Sequence, residues 1–490
     1  MENGAISKVF ADVAVLMQAR GDNAFEVRAH SKASDEIKSL SYSLADIVDD
    51  TELLREIPGF GEAIVDKTQE LIRTGRLGLL EGLLEELPDG VLELVQIPGI
   101  GPKTAVVAAQ KLGIGTFEQL AASIESDEFQ QLPRISKKGA QQILRHTKMR
   151  IEQGDRFGLG PATQIASGVI EELKIRCPEI TLIEVVGSVK RGVELVDDIN
   201  ILCAVAEGAD PATVLECFAT LPSAHKILSQ DASNARIADN SGKIMSIKVV
   251  PAKAWAGALV YATGSVAHGR KLEEIAEQND LVLTEDGLYE NGADDPVVAE
   301  TEADIYDLLN LNFIPPEMRE DSSEIELAET SDFSRILKLS DIRGDLHSHT
   351  NWSDGRYPME VMVASAADRG FEYLAITDHS PSATVANGLV PDMLLAHNSA
   401  VKELDKISEL RLLTGTEMDI KPDGSLDYSN ELLADLDIVI ASIHSGMDQD
   451  EATMTQRVID AMESPHVDII CHLTTRLTER RAAVEIDIKA

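Results

Sequence analysis

Apolar side chains recur at three- and four-residue spacing near the start of the chain. Ile6, Val9, Phe10, Val13, Leu16 and Met17 form one such stripe, which predicts helices that bury a single face. The stripe breaks at Leu53-Leu54-Arg55-Glu56-Ile57-Pro58-Gly59-Phe60-Gly61 and resumes through Ile64, Leu71 and Ile72. A near copy of the break lies forty residues on, at Leu94-Val95-Gln96-Ile97-Pro98-Gly99-Ile100-Gly101-Pro102-Lys103-Thr104, so the front of the chain reads as an internal repeat. Beyond Phe157 the pattern changes. Glu184-Val185-Val186 and Asp198-Ile199-Asn200-Ile201-Leu202 flank Gly187-Ser188 and the basic pair Lys190-Arg191, predicting strand, tight turn and strand. On the second strand Asp198 and Asn200 share one face and Asp197 takes the other. In the last third, short apolar runs each end in polar residues: His347 and His349, Thr377-Asp378-His379, Gly415-Thr416-Glu417, Ser442-Ile443-His444 and Cys471-His472.

A chain of 490 residues needs several cores. With 44 Lys and Arg against 84 Asp and Glu, the net charge of −40 excludes a general polyanion binder and directs attention to local cations. Gln131 to Arg150 contains no Asp or Glu but holds Arg134, Lys137, Lys138, Arg145, Lys148 and Arg150, a footprint suited to a nucleic-acid backbone. The four cysteines lack disulfide or metal spacing, and no secretory signal or membrane-length apolar run is present, so the reading is a cytoplasmic protein without a membrane partner.

The chemistry follows from these patterns. Glycines in the repeated Pro-Gly-x-Gly allow close backbone approach, and amides at the next helix start face a phosphate without reading bases. Leu132-Pro133-Arg134-Ile135-Ser136-Lys137-Lys138 is a third copy in which Arg134 and Ser136 replace both glycines, leaving charge as its means of grip. The Gly187-Ser188 turn with Lys190 and Arg191 forms a phosphate cradle. Two carboxylates two apart on a strand face suit two-metal phosphoryl chemistry, but here the second is the amide Asn200. Histidines and carboxylates at the ends of successive strands are what an α/β barrel offers a metal.

The repeats resemble helix-hairpin-helix motifs, with Gly59, Gly61, Gly99, Gly101, Lys103, Lys137, Lys138 and Arg145 as the implied DNA contacts. The centre resembles the palm and thumb of family X nucleotidyltransferases, the DNA polymerase beta superfamily. That resemblance implies nucleotide contacts at Gly187, Ser188, Lys190, Arg191, Tyr261, Gly264 and Ser265, catalytic carboxylate Asp198 with Mg²⁺, and a lysine nucleophile for 5′-deoxyribose phosphate at Lys67. Asn200 and Ser246 stand where the family has its other two palm carboxylates, which implies weakened polymerisation. The last segment resembles the PHP domain, a seven-stranded α/β barrel of metallo-phosphoesterases. It implies Mn²⁺ or Zn²⁺ on His347, His349, Asp354, His379, Glu417, His444 and His472; the family's final Asp and His have no counterpart before Ala490, so the barrel is expected to be incomplete.

The implied architecture is multidomain: an all-α 8-kDa-like domain over 1–85, a fingers-like helix-hairpin-helix domain over 86–156, an α/β (α+β) palm over 157–256, a thumb over 257–320, an acidic linker over 321–342 and an incomplete α/β PHP barrel over 343–490. The implied function is a monomeric DNA-repair polymerase acting with dNTP on gapped or nicked DNA, fused to a 3′–5′ exonuclease. The alternatives are an inactive gap- or end-binding module and a phosphoesterase for small phosphates.

Overall fold

The computed structural model describes residues 3–490 except Ser41, Glu207 and Asn240. It divides into two compact units, Met1–Arg335 with Thr478–Arg480, and Ile336–Leu477 with Arg481–Ala490.

The first unit opens with helices Asn3–Arg20 and Ala24–Ser39, the second capped by the Asn23 side chain accepting from the Phe25 amide. The stripe read from the sequence is the buried face: Ile6, Phe10 and Val13 are fully buried. One apolar core then runs from Ile6 to Leu144, across the boundary expected after residue 85, so both glycine-bearing repeats belong to one packed body. In each repeat the turn joins a short helix to a longer one, Thr51–Glu56 to Glu62–Thr74 and Val91–Leu94 to Pro102–Leu112. Gly59 and Gly99 hold φ of 88° and 94°, a region that costs a side chain about 1–2 kcal/mol. At the equivalent point of the third copy, Arg134 has φ of 68°. The hairpin backbone is therefore kept without glycine, whereas the sequence left that copy only its charge.

A five-stranded mixed sheet follows, in the order Ile180–Val186, Asp198–Val205, Ile244–Pro251, Asn234–Ala238, Lys226–Gln230. Asp198–Val205 runs parallel to Ile244–Pro251, in a register that sets Asn200 opposite Ser246. Its continuous apolar run is explained by burial on both faces: Ile199, Ile201 and Cys203 pack on one side, Leu202 and Ala204 against Trp255 and Leu259 on the other.

Helices Trp255–Thr263, Val266–Gln278 and Glu302–Leu308 pack with the hairpin Leu281–Thr284/Gly287–Glu290. The acidic stretch expected to be a linker is partly folded onto them. Helix Glu324–Ala328 buries Ile325 and Ala328 in this core, and Glu324 itself is 1 % exposed. Its carboxylate accepts from the Asp321 and Ser322 amides and lies 2.7 Å from His268 Nδ1, while His268 Nε2 is 2.8 Å from the Tyr306 hydroxyl. Polarity along the sequence concealed this helix because its acid is buried against a partner, His268, that lies 56 residues earlier.

That network predicts acid sensitivity. Burial pushes His268 below its ordinary value of 6.5, so on acidification the unfolded chain takes up its proton first and stability falls as pH drops below about 6.5. Burial alone would raise Glu324, but His268 and the backbone amides hold it below 4.5, so its contribution is present above that pH and is lost further down. Melting temperature followed from about pH 7 to pH 4 should decline in two stages. In His268→Gln the first stage should shrink, leaving the part due to His30, which burial also pushes below 6.5.

The second unit contains five parallel strands in sequential order: Gly344–Asp345, Tyr373–Ile376, Arg411–Asp419, Ile438–Ser442 and Ile469–Ile470. Helices Met359–Asp368, Pro391–Asp405 and Glu451–Met462 lie between them in sequence, the arrangement of consecutive β/α units. All C-terminal strand ends therefore face one way.

Candidate active and metal sites

On the central sheet, Gly187–Lys190 forms one short helical turn after its strand. The Asn200 amide donates to Asp198 Oδ1 at 2.7 Å, and the Ser246 hydroxyl donates to Asn200 Oδ1. This Ser246–Asn200–Asp198 line is satisfied internally and carries a single carboxylate. Two divalent cations do not fit it, because an amide and a hydroxyl already engaged with each other supply no charge.

The basic pair beside it is also engaged. Lys190 Nζ lies 2.9 Å from Glu184 and 3.2 Å from Glu302; Arg191 Nε donates to Glu320 at 2.6 Å and its Nη1 to the Thr263 carbonyl at 2.7 Å. The Arg191–Thr263 bond brings the Gly187-Ser188 turn beside Gly264-Ser265, joining two segments expected from the sequence to contact nucleotide, which the chain separates by more than seventy residues. Ser265 caps helix Val266–Gln278 by accepting from the His268 amide. Tyr261 packs half-buried on the neighbouring core.

In the helical region, Gly61 and Gly101 stand at N-cap positions with no side-chain cap, and Lys103 is exposed just beyond. Lys137 and Lys138 are exposed in the first turn of helix Lys137–Gln153, whereas Arg145 is half-buried. Lys148 is paired with Glu125 at 2.7 Å. Lys67 lies half-buried on its helix, donating to the Ala63 carbonyl at 3.2 Å, and its charge is one of the influences that lower His30, after burial.

The second unit gathers its strand-end residues around Glu417, which is 2 % exposed. His347 and His349 Nε2 lie 3.2 and 3.3 Å from Glu417 Oε2, His379 Nδ1 lies 3.1 Å from the same oxygen, and His444 and His472 Nε2 lie 3.3 and 2.7 Å from Oε1. Asp354, more exposed, approaches His379 Nε2 at 3.7 Å and His349 Nδ1 at 4.0 Å. All seven residues anticipated as ligands thus meet in one place. Burial would raise the Glu417 carboxyl, but hydrogen bonding from His347, His349, His444 and His472 outweighs it and holds the group ionised.

Divalent cations fit this donor set. His347 and His349 turn Nε2 atoms toward each other at 3.0 Å over one carboxylate oxygen, and His349 Nδ1 is buried with no hydrogen-bond partner. Imidazole nitrogens converging on a carboxylate become a ligand arrangement when a bound cation takes the place of the protons they share with it.

Four further residues were not singled out as functional from the sequence. Asp419, two residues after Glu417 and on the same strand face, accepts from His444 Nδ1; this fixes the tautomer that leaves Nε2 toward Glu417. Cys471 Sγ lies 3.2 Å from His347 Nδ1. Asp378 and His397 are fully buried and paired at 2.9 Å. Asp378 also accepts from the Thr350 amide, the Thr350 hydroxyl and the Ser353 hydroxyl, pinning the loop that runs from His349 to Asp354. Those bonds, led by His397, offset a burial effect that would raise Asp378 and hold it ionised. Asp378→Ala strands several buried donors at about 1–3 kcal/mol each. It is expected to lower unfolding free energy by at least about 3 kcal/mol in denaturant titration and to reduce bound metal together with it.

Family models match four stretches: a helix-hairpin-helix domain over 1–77, a SAM-like helix-hairpin-helix tandem over 91–148, the DNA polymerase beta thumb over 258–320 and the PHP domain over 345–482. The DNA polymerase/3′-5′ exonuclease PolX of Bacillus subtilis (strain 168) is 33% identical over 494 residues, covering 100% of this chain and 84% of that protein. A probable phosphatase of Shewanella sediminis is 37% identical over 133 residues, 26% of this chain and 52% of that one. Another, from Syntrophotalea carbinolica, is 30% identical over 141 residues, 26% and 53% of the two chains. No helix among the described residues is long and apolar enough to cross a membrane.

Proposed function

The chain belongs to the family X DNA polymerases fused to a PHP domain, and from that premise we propose that it binds gapped or nicked DNA, trims 3′ ends at the Glu417 cluster and extends them only weakly. The carrying observation is the contrast between the two centres: five imidazoles converging on Glu417 against a single carboxylate, Asp198, on the palm. Mn²⁺ or Zn²⁺ suits the imidazole–carboxylate set, and Mg²⁺ is the proposed, weakly held palm ion.

At the Glu417 cluster, bound cations would supply positive charge to a phosphodiester oxygen. The chain's own residues do the positioning. Glu417 gathers five imidazole nitrogens around its two oxygens, Asp419 orients His444, and Asp378 anchors the loop bearing Asp354. On the palm, Lys190 and Arg191 must leave Glu184, Glu302 and Glu320 before they can meet a triphosphate. The hairpin turns at Gly59 and Gly99, with Lys103, Lys137 and Lys138, offer amides and ammonium groups to a DNA backbone. Lys67 is the proposed lyase nucleophile. The satisfied Ser246–Asn200–Asp198 line favours a second reading, in which the palm serves only as a platform for DNA.

Gapped DNA with a labelled primer, incubated with dNTP and either Mg²⁺ or Mn²⁺, separates these. The proposal expects clear shortening and faint extension on the same gel; extension dominating shortening overturns it, and no extension at all selects the platform. Binding should survive chelation. Neutralising Lys137, Lys138 and Arg145 should flatten the salt dependence of affinity by about 2–3 in log–log slope, at roughly 0.9 per lost phosphate contact.

A further inference from the structure

In a regular strand consecutive side chains point to opposite faces, so Cys471 and His472 should not serve one centre. The chain avoids this at the end of Ile469–Ile470. His472 has a φ of 27°, outside strand geometry, and both side chains turn to the same cluster. Cys471 Sγ, a Glu417 carboxylate oxygen and a His472 ring nitrogen all lie within 4.8 Å of one another, and His472 Nε2 is 2.7 Å from Glu417 Oε1. His347 Nδ1 stands 3.2 Å from the sulfur. Donors around one tetrahedral zinc sit about 3.5 Å apart, given Zn–S near 2.3 Å and Zn–N near 2.0 Å, so modest side-chain rotation closes the set.

We propose that Cys471 is a thiolate ligand of the cation held by Glu417 and His472, making that position a mixed nitrogen, oxygen and sulfur site that prefers zinc to manganese or magnesium. The preference follows from softness: thiolate selects zinc, whereas an all-imidazole and carboxylate set does not discriminate strongly against manganese. Binding converts the thiol to thiolate, and its proton leaves to solvent as the metal–sulfur bond forms. The inference rests on the metal-centre reading of the Glu417 cluster and specifies the chemistry of one position within it.

Cobalt(II) in place of zinc distinguishes the two. In the full chain, visible cobalt absorption reports uptake by any ligand set, and a near-ultraviolet charge-transfer band reports sulfur bound to the metal. The expected result is both signals in the unaltered chain, with only the charge-transfer band lost in Cys471→Ser. Alkylation of the Cys471-containing peptide by iodoacetamide, read by mass spectrometry in the unaltered chain, should slow by about tenfold or more when zinc is added. This arm requires no folded variant. Cobalt uptake without a charge-transfer band, a band that persists in Cys471→Ser, or alkylation indifferent to zinc overturns the thiolate ligand while leaving the metal centre standing. Absence of visible cobalt absorption overturns both. The remaining cysteines, Cys177, Cys203 and Cys217, belong to the other unit and give no signal at this site.

Discussion

Asn200→Asp combined with Ser246→Asp is expected to raise nucleotide incorporation on gapped DNA by about 10²-fold or more. Asp198 and Asn200 share a strand face, and the register places Ser246 directly across from Asn200, so the double variant assembles three carboxylates on one surface. Three such groups hold two divalent cations, which one carboxylate cannot do against their hydration. Each single substitution should recover far less than its share, because carboxylates sharing ions act as a unit. A physical signature accompanies the gain. Without cations the added charges repel Asp198, so the double variant should melt at a lower temperature than the unaltered chain, and Mg²⁺ should restore it by binding the folded state. Extension kinetics and melting curves with and without Mg²⁺ check both parts. If Mg²⁺ stabilises the double variant yet incorporation does not rise, the missing carboxylates are not what limits the palm, and the engaged Lys190 and Arg191 become the obstacle.

The second large effect is expected at Glu417. Glu417→Gln preserves shape but removes the one charge toward which His347, His349, His379, His444 and His472 converge. Shortening of 3′ ends should drop by at least about 10²-fold, and metal content measured by elemental analysis should fall with it. Extension on the palm should be unchanged, because the two activities use different residues. A variant that keeps its full complement of metal and its trimming rate would show that the imidazoles alone hold the cations, contradicting the role assigned to Glu417.

What could be read directly was whatever short-range sterics control. The Pro-Gly-x-Gly repeats were legible because a turn with positive φ favours glycine, and the buried stripe from Ile6 to Met17 because helical period needs only neighbouring residues. The histidines and Glu417 after the strands were legible as candidate ligands because spacing after an apolar run sets where a side chain emerges, whereas Asp354 was implied only by the family resemblance. Even here local rules missed Arg134, which takes the left-handed conformation because the packed hairpin around it requires it.

Tertiary structure alone decided the partnerships. Lys190 and Arg191 read as free phosphate cations, yet they meet Glu302 and Glu320, 112 and 129 residues away. Glu324 read as a linker acid, yet it is buried against His268, 56 residues earlier. Cys471 read as one of four scattered cysteines, yet it reaches His347 across 124 residues. Sequence by itself determined the family of elements and the residue types presented at their ends, since those obey sterics over a few bonds. Which charges are quenched, which acids stay ionised when buried and which donors share an ion depended on groups brought within about 3 Å only by the closed fold, a distance at which hydrogen bonding and Coulomb energy outweigh local preference.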